Sequence, residues 1–298
     1  MILAVAGGII AINVYLDIYG VFRDPRGRHL RVDNDERLTK YLLNGRYVPA
    51  NFNTLMIGSS VSENWRLDKI GQLHTFNDSV NGGNIVEEKS MVDAALSRPG
   101  IQVALLIVHP FFTHSHNFET VPLTPRLRTE ALGSLSLWDA YKNKARIQLH
   151  LDQHIFDEYG SEDFATARAE LPLQLKRLME MSGDFEVDPI AFRAYREVVF
   201  ELHAHGVQIV FIVPPPEQRL FVPKRAAFQK YFNTIRTVMD PTDKVIDFTT
   251  DEFADFRADP ANFQDGVHLL PAGAARLVSV INARVQDWIA RGELRPPT

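Results

Sequence analysis

Two short stretches of the chain carry residues that could act together in chemistry. Gly58-Ser59-Ser60 follows the apolar run Thr54 to Ile57, and Asp265-Gly266-Val267-His268 comes just before a helical pattern opening at Pro271. A serine at the turn after a buried strand sits at the carboxyl edge of a sheet, where open α/β folds bind ligands. Its hydroxyl would also lie near the free N–H groups of a following helix, which suits a nucleophile whose attack builds negative charge. In the second stretch, an Asp and a His stand three positions apart. In a turn leading into a helix the carboxylate can reach one imidazole nitrogen and fix the tautomer, leaving the other nitrogen to take a proton from a serine. The plainer use of both stretches is structural, with Ser59, Ser60 and Ser62 as turn and N-cap residues and Asp265 as a cap beside a surface histidine.

Chemistry of this kind needs elements that bring the two stretches together. Strands are expected at Thr54 to Ile57, Thr75 to Val80, Val103 to Val108, Gln208 to Val213 and Lys244 to Phe248, each a short apolar run. Helices are expected at Glu36 to Leu43, Ser62 to Ile70, Ile85 to Ser97, Asp188-Pro189 to His205, Phe221 to Met239 and Pro271 to Arg291. Strands alternating with helices predict an α/β fold, a parallel sheet of about five strands covered on both faces. Residues from about 110 to 183 lack strand alternation. They read as a helical insertion, a lid or acceptor-binding cap, with helical patterns around Leu135 to Phe156 and Ser161 to Met181. The main domain covers 51–298.

The bulk composition bounds the rest. The chain has 298 residues, 45% hydrophobic and 23% charged, with a net charge of -5, which does not point to a nucleic-acid partner. It has no cysteine, which excludes disulfides, thiolate catalysis and zinc–thiolate sites. Neither a Walker motif nor a dinucleotide fingerprint is present, and no cofactor is expected.

Met1 to Leu16 is nearly all apolar, and the run continues past Asp17 to Phe22. Residues 1–22 therefore read as an uncleaved membrane-anchor helix, since a span needs about 20 residues. Residues 23–50 read as a juxtamembrane connector. Asp17 within a spanning helix is costly unless paired, which points to a membrane partner. Arg23, Arg26, Arg28, Arg31 and Arg37 follow the apolar run, and the positive-inside tendency would place that side in the cytoplasm.

The Gly-Ser-Ser turn after the first strand, the Gly-Gly turn after the second and the Asp-x-x-His before the last helix occur in a fixed order. Together they resemble the SGNH, or GDSL-type, hydrolase family, over Asn53 to about Ala290 with the insertion unmatched. The resemblance implies an SGNH-like, flavodoxin-like sheet and a triad of Ser60, Asp265 and His268. It also implies an oxyanion hole at the Ser60 amide and at Gly82 or Gly83 in Asn81-Gly82-Gly83-Asn84. Asp265 to Gly273 matches the family's last block. Ser59 replaces the family's Asp before the nucleophile. Where the third block has Gly-x-Asn, this chain reads Val108-His109-Pro110-Phe111. His109 could donate a hydrogen bond in place of the Asn, or the hole could rest on the amides of Ser60 and a glycine.

The Gly-Ser-Ser variant with an apolar amino terminus is similar to the bacterial branch that acylates exopolysaccharides and wall polymers. That similarity implies acyl transfer, most often of acetyl, to or from a cell-surface polysaccharide. It also implies an extracytoplasmic, periplasmic body on a single-pass anchor and a membrane-bound O-acyltransferase partner. It outweighs the basic residues after the anchor. The rivals are an esterase or lipase acting on small acyl esters and a non-catalytic scaffold of a polysaccharide-assembly complex.

Other residues read more plainly. His109, His114 and His116 lack fixed metal-ligand spacing and read as loop or pocket residues rather than a metal site. Trp65, Phe111, Phe112 and Trp138 could stack on sugar rings. Lys224, Arg225 and Lys230 read as a solvated helix face, and Asp251, Glu252, Asp255 and Asp259 as an acidic surface.

Overall fold

The computed structural model describes residues 2–17, 19, 22, 36–67, 70–71, 73–114, 123, 126, 137–149, 159–161 and 185–296. Its sheet has five parallel strands: β1 (Thr54–Ile57), β2 (Thr75–Asn77), β3 (Val103–Ile107), β4 (Gln208–Val213) and β5 (Lys244–Asp247). The order is β2-β1-β3-β4-β5, so the winding reverses between β1 and β3, where doubly wound sheets open a crevice for ligands. The strands are readable as apolar runs because both of their faces are covered; every residue of β1, β2 and β3 is buried.

Alternate strand residues feed two cores. Leu55, Ile57, Ala104, Leu106, Ile209 and Phe211 face helices α2 (Glu36–Asn44), α5 (Ile85–Leu96), α7 (Pro189–Ala204) and α8 (Gln218–Arg236). Met56, Val103, Leu105, Val210, Ile212 and Ile246 face the closing helix α10 (Pro271–Ala290), which contributes Leu277, Val278, Ile281 and Val285. The remaining helices are α1 (Ile2–Leu16), α3 (Val48–Asn51), α4 (Ser60–Glu63), α6 (Leu137–Gln148) and α9 (Ala254–Ala258).

Side-chain caps set several helix starts. Asn84 Oδ1 accepts from the Val86 and Glu87 amides, and Asp188 Oδ1 from those of Ile190 and Ala191. Helix α8 begins at Gln218, earlier than the expected Phe221, because Glu217 caps it by accepting from the Arg219 amide at 2.8 Å. The helix expected over Ser62 to Ile70 is confined to Ser60–Glu63. Beyond it Trp65, Leu67 and Ile70 turn into the core, which a solvated helix would not allow. Strand β2 stops at Asn77, and Val80 instead bridges to Ser59.

The apolar amino-terminal helix is shorter than expected. Helix α1 has 15 residues, about 22 Å at 1.5 Å per residue, against a hydrocarbon core of about 30 Å. Asp17 ends it in the left-handed region (φ 44°), and its carboxylate accepts from the Phe22 amide at 3.0 Å. Asp17 is therefore a terminator rather than an interior residue of a 22-residue span. Among the described residues no helix is long and apolar enough to cross a membrane. Ile9, Ile10, Ile12, Val14, Tyr15 and Leu16 are exposed on α1. Among the described residues the insertion carries helix α6; the helical pattern over Ser161 to Met181 lies outside the described residues beyond Ser161.

A buried acid sits behind β2. Asp78 is wholly buried, accepts from Asn44 Nδ2 at 2.6 Å, and has a second oxygen with no partner among the described residues. Burial pushes its carboxyl up to about 7, against the pull of Lys40 and the Asn44 hydrogen bond. Between about pH 4 and 7 the folded protein therefore holds a proton that the unfolded chain has released. Stability falls as pH rises through that window, by an amount on the order of a few kcal/mol. Asp78→Asn keeps an acceptor for Asn44 and cannot ionise. Its melting temperature relative to wild type is expected to be clearly higher at pH 8 than at pH 5. A difference independent of pH in thermal melts would contradict this.

Candidate active site

Gly58 lets β1 turn sharply into the nucleophile stretch. A Cβ there would lie 2.2 Å from Ser62 Oγ, 2.7 Å from Ile107 Cγ1 and 2.9 Å from Ser79 Oγ, so the position is closed to larger residues by space. Ser59, extended at φ −130°, precedes the helix, and Ser60 is the first helical residue. The turn is braced from behind. Ser62 Oγ meets Ser79 Oγ at 2.8 Å, and Asn77 Nδ2 donates to the Ser62 and Glu63 carbonyls at 3.0 Å each.

The second stretch forms a tight loop over this turn. Phe263 bridges Leu269 in antiparallel fashion, and the Gln264 amide donates to the His268 carbonyl at 2.9 Å. The Glu217 amide ties down the Gly266 carbonyl at 2.9 Å, and Asn64 Nδ2 holds the Leu269 carbonyl at 2.6 Å. Gly273, the last glycine of the sequence block, lets α10 press on Asn262; a Cβ would lie 2.2 Å from that residue's carbonyl oxygen.

These constraints bring Ser60, His268 and Asp265 into one line. His268 Nε2 lies 2.9 Å from Ser60 Oγ, and His268 Nδ1 lies 2.7 Å from Asp265 Oδ2. The other carboxylate oxygen, Oδ1, accepts from the Val267 and His268 amides at 2.8 Å each. Burial opposes the charge on Asp265, but the hydrogen bonds from His268 and the two amides prevail and hold its carboxyl below the usual range. The aspartate is therefore an anion at neutral pH, so Nδ1 carries a proton and Nε2 is free to accept one from the serine. The line is that of a nucleophile, a general base and an orienting carboxylate.

Donors for an oxyanion lie around it. Helix α4 begins at Ser60, so the Ser60 amide is one of the free N–H groups of a helix start. The two glycines differ in one hydrogen bond: the Gly83 amide donates to the Val80 carbonyl at 2.9 Å. Gly82, in the left-handed region at φ 62°, keeps an amide with no partner among the described residues.

His109 caps the 3-10 turn Pro110–Thr113, its Nδ1 accepting from the Phe111 amide at 3.3 Å. An accepting Nδ1 places the proton on Nε2, as a donor. Burial pushes His109 down to about 3, with His268 adding to the effect and Asp265 opposing it, so the ring is neutral and close enough to feel both triad members. Tyr231 Oη donates to the His109 carbonyl at 2.8 Å and fixes the backbone. His109→Ala is expected to lower kcat for ester cleavage about 100- to 1000-fold, the usual cost of one oxyanion donor. His109→Asn, which keeps a side-chain N–H, should recover part of it. Equal rates for all three folded proteins would remove His109 from the site.

Other sequence expectations fare differently. Trp65 and Phe112 are wholly buried in the core and cannot stack on a substrate; Phe111 packs edge-on against His109 at 5.0 Å, and Trp138 is exposed. Arg225 is exposed on α8, where it pairs with Asp251 at 2.7 Å and lies 5.4 Å over the Phe221 ring. His114 is half-buried and His116 lies outside the described residues. Among the described residues no cluster of His, Asp or Glu could hold a metal ion. The sequence reading missed a cavity of about 490 Å³ beyond His109, between α8 and the ends of β4 and β5. Phe228, Phe232, Asn233, Arg236 and Thr249 line it. Its only sequence signal was the polar and aromatic mixture along α8.

No family model and no curated protein matches the chain. Among solved structures, the chain is similar to a Streptococcus pneumonia protein described as a "putative platelet activating factor". The two share 13% identity at a TM-score of 0.44, over 92% of this chain and 98% of that one.

Proposed function

We propose that the protein is an SGNH-type serine acyltransferase that moves an acyl group, most often acetyl, onto a hydroxyl of a bacterial cell-surface polysaccharide. The observation that carries the acyl-transfer reading is the continuous relay from Asp265 through His268 to Ser60, at 2.7 and 2.9 Å. The polysaccharide and the acetyl group rest on the resemblance of the sequence blocks.

Ser60 Oγ attacks the carbonyl carbon of an acyl ester or thioester donor while His268 Nε2 takes its proton. The carbonyl oxygen becomes an oxyanion facing the Ser60 and Gly82 amides and His109 Nε2–H. Collapse breaks the bond to the leaving group, which takes the proton from His268, and leaves acyl-Ser60. A sugar hydroxyl then gives its proton to His268 and attacks the acyl carbon. The new ester departs and Ser60 regains its proton. Water in place of the sugar makes the same site an esterase. A non-catalytic scaffold would have no use for the aligned relay.

The exposed apolar side chains of α1 suit a lipid surface or an apolar membrane partner, in keeping with an anchored, extracytoplasmic protein beside a membrane-bound O-acyltransferase. The cavity beyond His109, with aromatic rings beside planar polar groups, suits a sugar ring as acceptor.

The test is p-nitrophenyl acetate turnover with and without an oligosaccharide acceptor, followed by mass spectrometry of the sugar. Ser60-dependent acetyl on the sugar is the expected result. Release to water alone would make the protein an esterase, and acetylation unaffected by Ser60→Ala would overturn the proposal.

A further inference from the structure

Helix α2 carries an unusual polar stripe. Tyr41, Leu42 and Leu43 enter the core, while Glu36, Arg37, Lys40 and Asn44 share the side facing residues 78–81. Each of the four makes a separate contact with that segment. Asn44 Nδ2 donates to Asp78 Oδ2, and Lys40 Nζ donates to the Ser79 carbonyl. Arg37 Nη2 donates to the Asn81 carbonyl, while Glu36 Oε2 accepts from the Asn81 amide at 3.3 Å. Arg37 Nε also pairs with Glu87 in the first turn of α5 at 2.7 Å. The segment so held runs directly into Val80, Asn81 and Gly82, the turn that presents the free glycine amide.

The cost of this arrangement argues for a specific role. Lys40 is fully buried, and Glu88, behind the same turn, is buried with neither carboxyl oxygen partnered among the described residues. Apolar residues would pack α2 against α5 without desolvating an ammonium ion. What the polar set adds is direction: hydrogen bonds to successive backbone groups fix where the turn sits.

We infer that α2 is a clamp on the oxyanion turn, with Arg37 and Lys40 as positioning residues for acyl transfer. The inference rests on the acyl-transfer reading of Ser60. Neither residue touches substrate; each acts through the backbone at 79–82. A donor displaced by about 1 Å costs on the order of 100-fold in rate. Loosening the turn should therefore lower kcat while leaving KM nearly unchanged, because the donor works in the transition state.

The test uses the full chain, with Arg37→Met as first variant because Arg37 is partly exposed, Lys40→Met as second, and Arg37→Lys as conservative control. Amide hydrogen exchange over residues 80–84 reads the clamp without reference to activity. Turnover of p-nitrophenyl acetate and inhibition by a boronic acid, which forms a tetrahedral anion on the serine, read the oxyanion hole. The expected result for Arg37→Met is faster exchange confined to this turn. It should come with about 10- to 100-fold lower kcat, similarly weaker boronate inhibition, KM within about two-fold and partial recovery in Arg37→Lys. Unchanged exchange in folded Arg37→Met protein would overturn the clamp. Faster exchange with unchanged kcat and inhibition would overturn the positioning role. A wild type with no Ser60-dependent turnover would sink the acyl-transfer reading, and the positioning role with it, even if exchange quickened.

Discussion

Ser60→Ala is expected to lower kcat for p-nitrophenyl acetate at least about 10,000-fold while leaving the fold intact. Ser60 stands at the start of a four-residue helix, and among the described residues its side chain hydrogen-bonds only to His268. Its loss removes no core contact, so the melting temperature should move little. The oxyanion donors remain, and a small residual rate through direct attack by water is all they can support. Steady-state kinetics with thermal melts on the same preparations check both halves of this expectation. A loss of rate under about ten-fold would mean that another group attacks the acyl carbon.

Asp265→Asn should be nearly as damaging, by about 1000- to 10,000-fold in kcat. The two oxygens of Asp265 do different work. Oδ1 accepts two backbone amides, and Oδ2 faces His268 Nδ1. An amide substituted here must keep its oxygen toward the two N–H groups, which turns its NH2 toward Nδ1. Nδ1 then accepts, the proton moves to Nε2, and His268 can no longer take one from Ser60. Asp265→Glu should retain more activity than Asp265→Asn wherever the longer chain reaches Nδ1. The check is kcat for both variants; the account fails if Asp265→Asn keeps wild-type turnover.

How much of this was legible in the sequence depends on how local each signal was. The strands could be read because a parallel strand covered on both faces is an unbroken apolar run, as in Val103 to Ile107. Asp265 and His268 could be paired because a three-residue turn brings them together without help from the rest of the fold. Ser60 could be placed because Gly58 marks a sharp turn. The choice between Gly82 and Gly83 could not be made, since it depends on which amide the Val80 carbonyl consumes.

The role of α2 was hidden for a different reason. The sequence places Arg37 and Lys40 on a short helix of the connector, and only the position of residues 78–81 shows what that helix holds. The same holds for Asp78: its burial depends on α2 docking from elsewhere in the chain. The structure ends α1 at Leu16, whereas in the sequence Asp17 sits inside an apolar run. A carboxylate that leaves the helix to cap its own turn looks, in sequence, like a polar residue within a span.

The central claim is that Ser60 carries the acyl group. It is tested most directly by rapid quench of the full chain with an activated acetyl ester, followed by peptide mass spectrometry. The account predicts an acetyl adduct on the peptide containing Ser60, approaching one per molecule, and none in His268→Ala. Turnover of the ester with no adduct on Ser60, or with an adduct on another residue, would contradict it.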